Sequence, residues 1–145
     1  MKVSDWLLKH PTHAGVVRDD WSLEQIMEKL LSNSRLNDLY VLDSSDRVVG
    51  HLSYKKLAKL VLAEHCVFHT RRQILERVAT GTADELMEVH FASATADENL
   101  NEILFRQLDH WVEDLPVISL SGKLLGVINL SDVLLEVMKS AKSMS

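Results

Sequence analysis

Residues Asp38 to Leu62, "DLYVLDSSDRVVGHLSYKKLAKLVL", lie without a gap on residues Asp114 to Met138, "DLPVISLSGKLLGVINLSDVLLEVM". Asp38, Leu39, Val41, Gly50 and Val61 recur as Asp114, Leu115, Val117, Gly126 and Val137, and most other apolar positions are conservatively exchanged. Upstream the register slips by one residue. This lays "WSLEQIMEKLL" from Trp21 on "ENLNEILFRQL" from Glu98 and sets Leu23 and Ile26 against Leu100 and Ile103. A chain that repeats itself folds one kind of unit twice, so a reading of either copy is checked by the other.

Leu23, Ile26, Met27, Leu30 and Leu31 recur at helical spacing, as do Leu100, Ile103, Leu104 and Leu108, which predicts one amphipathic helix per copy. Ser22 and Asn99 stand at the N-cap positions or beside them. "LYVLD" or "LPVISL" follows, then a short polar turn ("SSDR", "SGK") and "VVGHLS" or "LLGVIN": a hairpin of two strands, with a second helix after it. With a short extended lead-in, "AGVVR" or "ASAT", each copy reads strand, helix, strand, strand, helix. The expected fold is α+β: two pseudo-symmetric units packed through their sheets, residues 1–62 and 83–145, separated by a helical insertion at residues 63–82. Within the insertion, "RRQILERVA" reads as a helix stopped by Gly81, with Ile74, Leu75 and Val78 on its packing face.

The totals narrow the function classes. At 145 residues, 46% apolar and 26% charged, the chain has room for one shared core or two small halves, and not for two large domains. A net charge of -5, with no basic block longer than Arg71-Arg72, offers no broad footprint for a phosphate backbone, so no nucleic acid is expected. The single Cys66 cannot close an internal disulfide, and the N-terminus lacks the apolar stretch of a secretory signal. No window approaches the roughly 18 apolar residues that span a bilayer. A cytoplasmic location without membrane insertion is expected.

Gly126 to Asp132, "GVINLSD", ends a strand on polar groups that also open a helix. Such a switch leaves the first helical N–H groups unpaired, and Asn129 followed three residues later by Asp132 has the form of a capping box. On that reading both side chains close the helix start and do nothing more. On the other, a helix N-terminus with polar side chains beside a glycine suits a hydroxylated or phosphorylated ligand. Asp132 suits sugar hydroxyls better than phosphate, because a carboxylate accepts hydrogen bonds and repels an anion, whereas Asn129 can donate. The residues by themselves leave both readings open.

The doubled unit, with "DLPVISLSGKLLGVINLSDVLLEV" as its clearest piece, resembles a tandem pair of CBS domains, a Bateman module, over nearly the whole chain. Members of that family commonly bind adenosine-containing ligands in the cleft between two repeats. In the family a Gly-apolar-apolar-Thr-x-x-Asp segment supplies contacts, the Thr toward phosphate and the Asp toward ribose hydroxyls. The second copy keeps Gly126 and Asp132 and has Asn129 in the Thr position, so the resemblance implies a ribose contact without the usual phosphate contact. The first copy, "GHLSYKK", keeps Gly50 and the Ser53 hydroxyl but has Lys56 in the Asp position, where it either attracts a phosphate or is simply solvated. The resemblance also pairs the Asp of one copy with the lead-in of the other. Asp132 would work with Ala14, Gly15 and Val17 and with Asn37, and Ser53 and Lys56 with His90 to Thr95. The two sites are expected to be unequal, the Asp132 site being the better.

The implied function is regulatory: AMP, ADP, ATP or S-adenosylmethionine enters the cleft, shifts the angle between repeats or subunits, and alters an unidentified regulated protein. No catalysis and no required cofactor are expected, and the resemblance implies a homodimer formed through the helices. The alternative is a ligand-free dimerising scaffold or protein-interaction module. His65, Cys66 and His69 have metal-ligand spacing without a third-ligand motif, and no metal site is expected. Trp6, Trp21 and Trp111 read as packing residues, and Arg71 and Arg72 as the wet side of a helix.

Overall fold

The computed structural model describes residues 1–11, 14–32, 38–62, 81–110 and 113–143, with the backbone alone for 59–62. Of the insertion, only Gly81 and Thr82 are among them; His65, Cys66, His69, Arg71, Arg72 and the expected helix lie outside the described residues, as does Trp111. The chain is α+β and forms two compact units, the first Ala14–Phe91 and the second Met1–His13 with Ala92–Ser145.

In the first unit β1 (Gly15–Arg18) runs parallel to β2 (Asp38–Leu42), and β2 runs antiparallel to β3 (Val48–Ser53). Parallel neighbours need a crossover, which α2 (Leu23–Ser32) supplies. A reciprocal capping box opens α2: the Ser22 N–H donates to Gln25 Oε1 at 2.9 Å and the Gln25 N–H to Ser22 Oγ at 3.2 Å. Its buried face, Leu23, Ile26 and Leu30, packs with Val17, Leu39, Val41, Leu52, Leu57 and Ala83 into one core. Helix α3 (Tyr54–Leu62) follows β3 directly.

The second unit repeats this with one shortfall. Helix α5 (Leu100–His110), the antiparallel pair β4 (Asp114–Ile118) and β5 (Leu124–Asn129), and α6 (Leu130–Ser143) match α2, β2, β3 and α3. The lead-in "ASAT", expected as a strand, makes a single parallel bridge from Ala94 to Val117. Side chains take up the backbone groups around it: Arg106 donates to the Ser93 carbonyl at 2.7 Å, and the Thr95 N–H donates to Glu98 Oε1 at 2.9 Å. The core holds Val3, Trp6, Ala94, Ile103, Leu115, Val117, Ile128 and Val133.

Both hairpins turn on a left-handed residue at the matching place, Asp46 (φ 62°) and Gly122 (φ 87°). Both also break register at the matching place, after Val41 and after Val117. In the turns Asp43 Oδ1 accepts the N–H groups of Ser45 and Arg47, and Ser119 Oγ accepts that of Lys123.

A repeat along the chain and a unit in space have different bounds, because the segment before each lead-in crosses over. Helix α1 (Val3–Lys9) carries N-terminal residues into the second unit, and α4 (Ala83–Leu86) sits in the first. The two crossings mirror each other. The Val3 N–H donates to Glu98 O at 3.0 Å and the Ser4 N–H to Ala96 O at 2.9 Å, while the Ala83 N–H donates to Trp21 O at 2.9 Å and the Asp84 N–H to Asp19 O at 3.0 Å. Neither helix has a side-chain cap, so these carbonyls satisfy the first helical N–H groups instead. No helix among the described residues is long and apolar enough to cross a membrane.

Candidate functional site

The site in the second unit is the junction of β5 with α6. Gly126 is buried opposite Val117, Asn129 is partly buried opposite Asp114, and Asp132 is exposed in the first turn of α6. Asn129 does the capping: its Nδ2 donates to Asp114 Oδ1 at 2.8 Å, and its Oδ1 accepts the Asp132 N–H at 3.2 Å. The capping box is therefore half made. Among the described residues the Asp132 carboxylate takes part in no hydrogen bond or ion pair, which leaves its lone pairs facing solvent beside the positive end of α6.

The junction of β3 with α3 in the first unit is built alike and finished differently. Ser53 Oγ accepts the Lys56 N–H at 3.1 Å, as Asn129 does for Asp132. Lys56 Nζ pairs with Glu88 Oε1 at 3.4 Å, so the ammonium has a carboxylate neighbour within its own unit. Glu88 is placed by backbone: His51 and Glu88 exchange N–H to carbonyl bonds of 3.0 and 2.9 Å along the outer edge of β3. Next to them His51 Nε2 lies 2.7 Å from Asp38 Oδ1, with its ring between Tyr40 and Phe91. Gly50 has a packing role here, since a Cβ at that position would stand 2.2 Å from Met87 Sδ.

The structure brings Gly126, Asn129 and Asp132 together in one unit, and Ser53 and Lys56 in the other, which also holds Ala14, Gly15 and Val17. Gly15 and Val17 are both buried in β1, and the Val17 side chain belongs to the core. Asn37 lies outside the described residues. Beside the second lead-in, Arg106 clasps Glu98 with both arms, at 3.0 and 2.6 Å. That hydrogen bond, against the opposing pull of burial, holds the Glu98 carboxyl below the usual carboxylate range, and the same bond raises Arg106. Trp6 and Trp21 each pack in or against the core of their own unit. No group of three or more potential metal ligands occurs among the described residues.

Asp114, Glu88 and Met87 escape a linear reading. Asp114 is recruited by strand register, which only the hairpin partner reveals. Glu88 and Met87 reach their places because the segment after α4 runs along β3. One signal was present, the recurrence of Asp38 as Asp114 at the foot of each hairpin.

No curated protein matches the sequence. The family model for the CBS domain matches residues 3–63 and 83–139. Among solved structures, the CBS domain-containing protein tm0935 from Thermotoga maritima superposes with a TM-score of 0.74 at 25% identity, over 96% of this chain and 95% of that one. CBSX2 in complex with AMP gives 0.73 at 20% identity, over 97% and 98%. The CBS domain pair of MJ0100, in complex with 5'-methylthioadenosine and S-adenosyl-L-methionine, gives 0.72 at 17%, over 97% and 98%. The cytosolic domain of the Mg2+ channel MgtE, in complex with ATP, gives 0.65 at 22%; the match covers 83% of this chain and 44% of that one. With the family model covering both repeats and the paired fold recurring across these structures, the chain belongs to the CBS domain family.

Proposed function

We propose that this chain is a regulatory module that binds an adenosine-containing ligand, AMP, ADP, ATP or S-adenosylmethionine, without transforming it, and relays the binding to a partner protein. The observation that carries this is the division of labour at the second junction. Asn129 closes the helix, and the Asp132 carboxylate is left exposed in the first turn, able to accept from the two hydroxyls of a ribose. The proteins of this fold that hold AMP, ATP or S-adenosylmethionine support the ligand class. Lys56, a donor where the second junction has the acceptor Asp132, and its pairing with Glu88 support unequal sites. A ligand acts as a switch here if it favours one arrangement of the protein over another.

The test is a thermal-shift panel of these four ligands. A ligand at 100 times its Kd stabilises by about 2.7 kcal/mol, and a domain of this size shifts by roughly 2 to 4 °C per kcal/mol or more. A shift with one ligand that vanishes in Asp132→Ala supports the sensor.

The second reading is the ligand-free scaffold, favoured by the internal use of both ends of the Asn129 amide. A flat response across the panel selects it.

A further inference from the structure

Gln107 in α5 is fully buried, the only polar or charged residue among the described ones to be so. The matching residue of the first repeat is Leu30 in α2, also buried. The fold of the repeat therefore does not require an amide at this position. Packing alone disfavours one, since Gln107 Oε1 accepts no hydrogen bond from any described residue and a buried acceptor without a donor is costly.

The amide makes two bonds, both at the site. Nε2 donates to the carbonyl of Ile128 at 3.0 Å and to that of Glu113 at 3.2 Å, tying the end of β5 to the residue before β4. The Glu113 carbonyl also accepts the N–H of Leu130, the first residue of α6, at 2.7 Å. One residue further along each strand, Asp114 and Asn129 are bonded side chain to side chain, and Asn129 holds the Asp132 N–H. A single buried group thus anchors both carbonyls that flank the passage from β5 into α6.

The two repeats make the comparison for us. Gln107 accompanies Asn129 and Asp132, whereas Leu30 accompanies Ser53 and Lys56. We propose that Gln107 is a positioning residue: from inside the second unit it fixes the β5–α6 junction so that the Asp132 carboxylate meets the vicinal hydroxyls of the ligand at a set angle. This rests on the reading of Asp132 as a ribose contact.

The variant is Gln107→Leu, which installs the side chain the first repeat already accommodates. Three measurements are made on the full chain: apo melting temperature, amide hydrogen exchange by NMR, and affinity for AMP and S-adenosylmethionine. The expected result is an apo melting temperature equal to or above wild type, faster exchange confined to Leu130 and Asp132, and an affinity weaker by about tenfold, the scale of one hydrogen bond. Unchanged affinity, whatever the exchange rates, overturns the positioning role while the ribose reading stands. A lowered melting temperature with faster exchange throughout the unit also overturns it, since that marks a structural residue. A wild-type chain that binds no adenosyl ligand overturns both readings together.

Discussion

Asn129 and Asp132 share the helix start of the second repeat unequally: the Asn129 Oδ1 accepts the Asp132 N–H at 3.2 Å, and the Asp132 carboxylate bonds to no described residue. The two substitutions should therefore separate. Asn129→Ala removes the cap and its bond to Asp114, and should lower apo stability by about 1 to 2 kcal/mol. Asp132→Ala loses only the favourable placement of a charge at the helix N-terminus, under about 1 kcal/mol, and should abolish adenosyl binding. Urea melts of both apo variants, followed by ligand titration, check this. An Asp132→Ala protein as destabilised as Asn129→Ala would make Asp132 a second cap.

The glycine at the matching strand position of the first repeat does a different task. A Cβ at Gly50 would stand 2.2, 2.5 and 2.7 Å from the Sδ, Cγ and Cβ of Met87, and the last of these is close to the backbone and cannot swing away. Gly50→Ala should cost about 2 kcal/mol, in the range of overpacked cores. In a double-mutant cycle, Met87→Ala should recover part of that loss, with a coupling of at least about 1 kcal/mol. Additive losses would show that Gly50 is required for its backbone and not for the methionine.

Much of the fold was legible in the sequence because its strong periods occur twice: the two hairpins, α2, α5 and the helices after each hairpin. Helix α1 was not, since its seven residues bury only Val3 and Trp6, and its first N–H groups are satisfied by Ala96 and Glu98, far along the chain. The site was legible in part. "GVINLSD" marks the junction, but which of Asn129 and Asp132 caps it depends on the register that sets Asn129 against Asp114. The "ASAT" lead-in reads as an extended segment by its place in the repeat; of the side chains that hold it in another form, Glu98 lies three residues beyond Thr95, and Arg106 stands outside any short window.

That Arg106–Glu98 clasp predicts a pH dependence. Glu98 has a folded pKa below its ordinary value, chiefly through the hydrogen bond from Arg106. A carboxylate shifted this way contributes stability that is full above its unfolded pKa and is lost as the pH falls through its folded pKa. The window therefore runs from about pH 5 downward. The pair is partly exposed, with side chains at 32% and 22%, so its share should stay under about 1 kcal/mol. Urea midpoints of wild type and Arg106→Met, taken above and below this window, should show the larger acid loss in wild type. Parallel curves for the two would assign the acid sensitivity to other carboxylates.

Helix α6 raises a separate question, because its fourteen residues bury only Val133 within the described unit. Leu134, Leu135, Val137 and Met138 are exposed on it, and Phe105 and Leu108 are exposed on α5, which packs against α6. A helix in water draws most of its stability from burying an apolar face, and a patch of this kind marks an interaction surface. The homodimer implied by the family resemblance would cover it with the same helices of a second copy. Leu134→Glu with Met138→Glu should then yield a monomer by light scattering, with circular dichroism unchanged because neither side chain is in the core. A wild-type chain that is monomeric at every concentration tested would assign the patch to a different protein, and the search for the regulated partner would begin on α6.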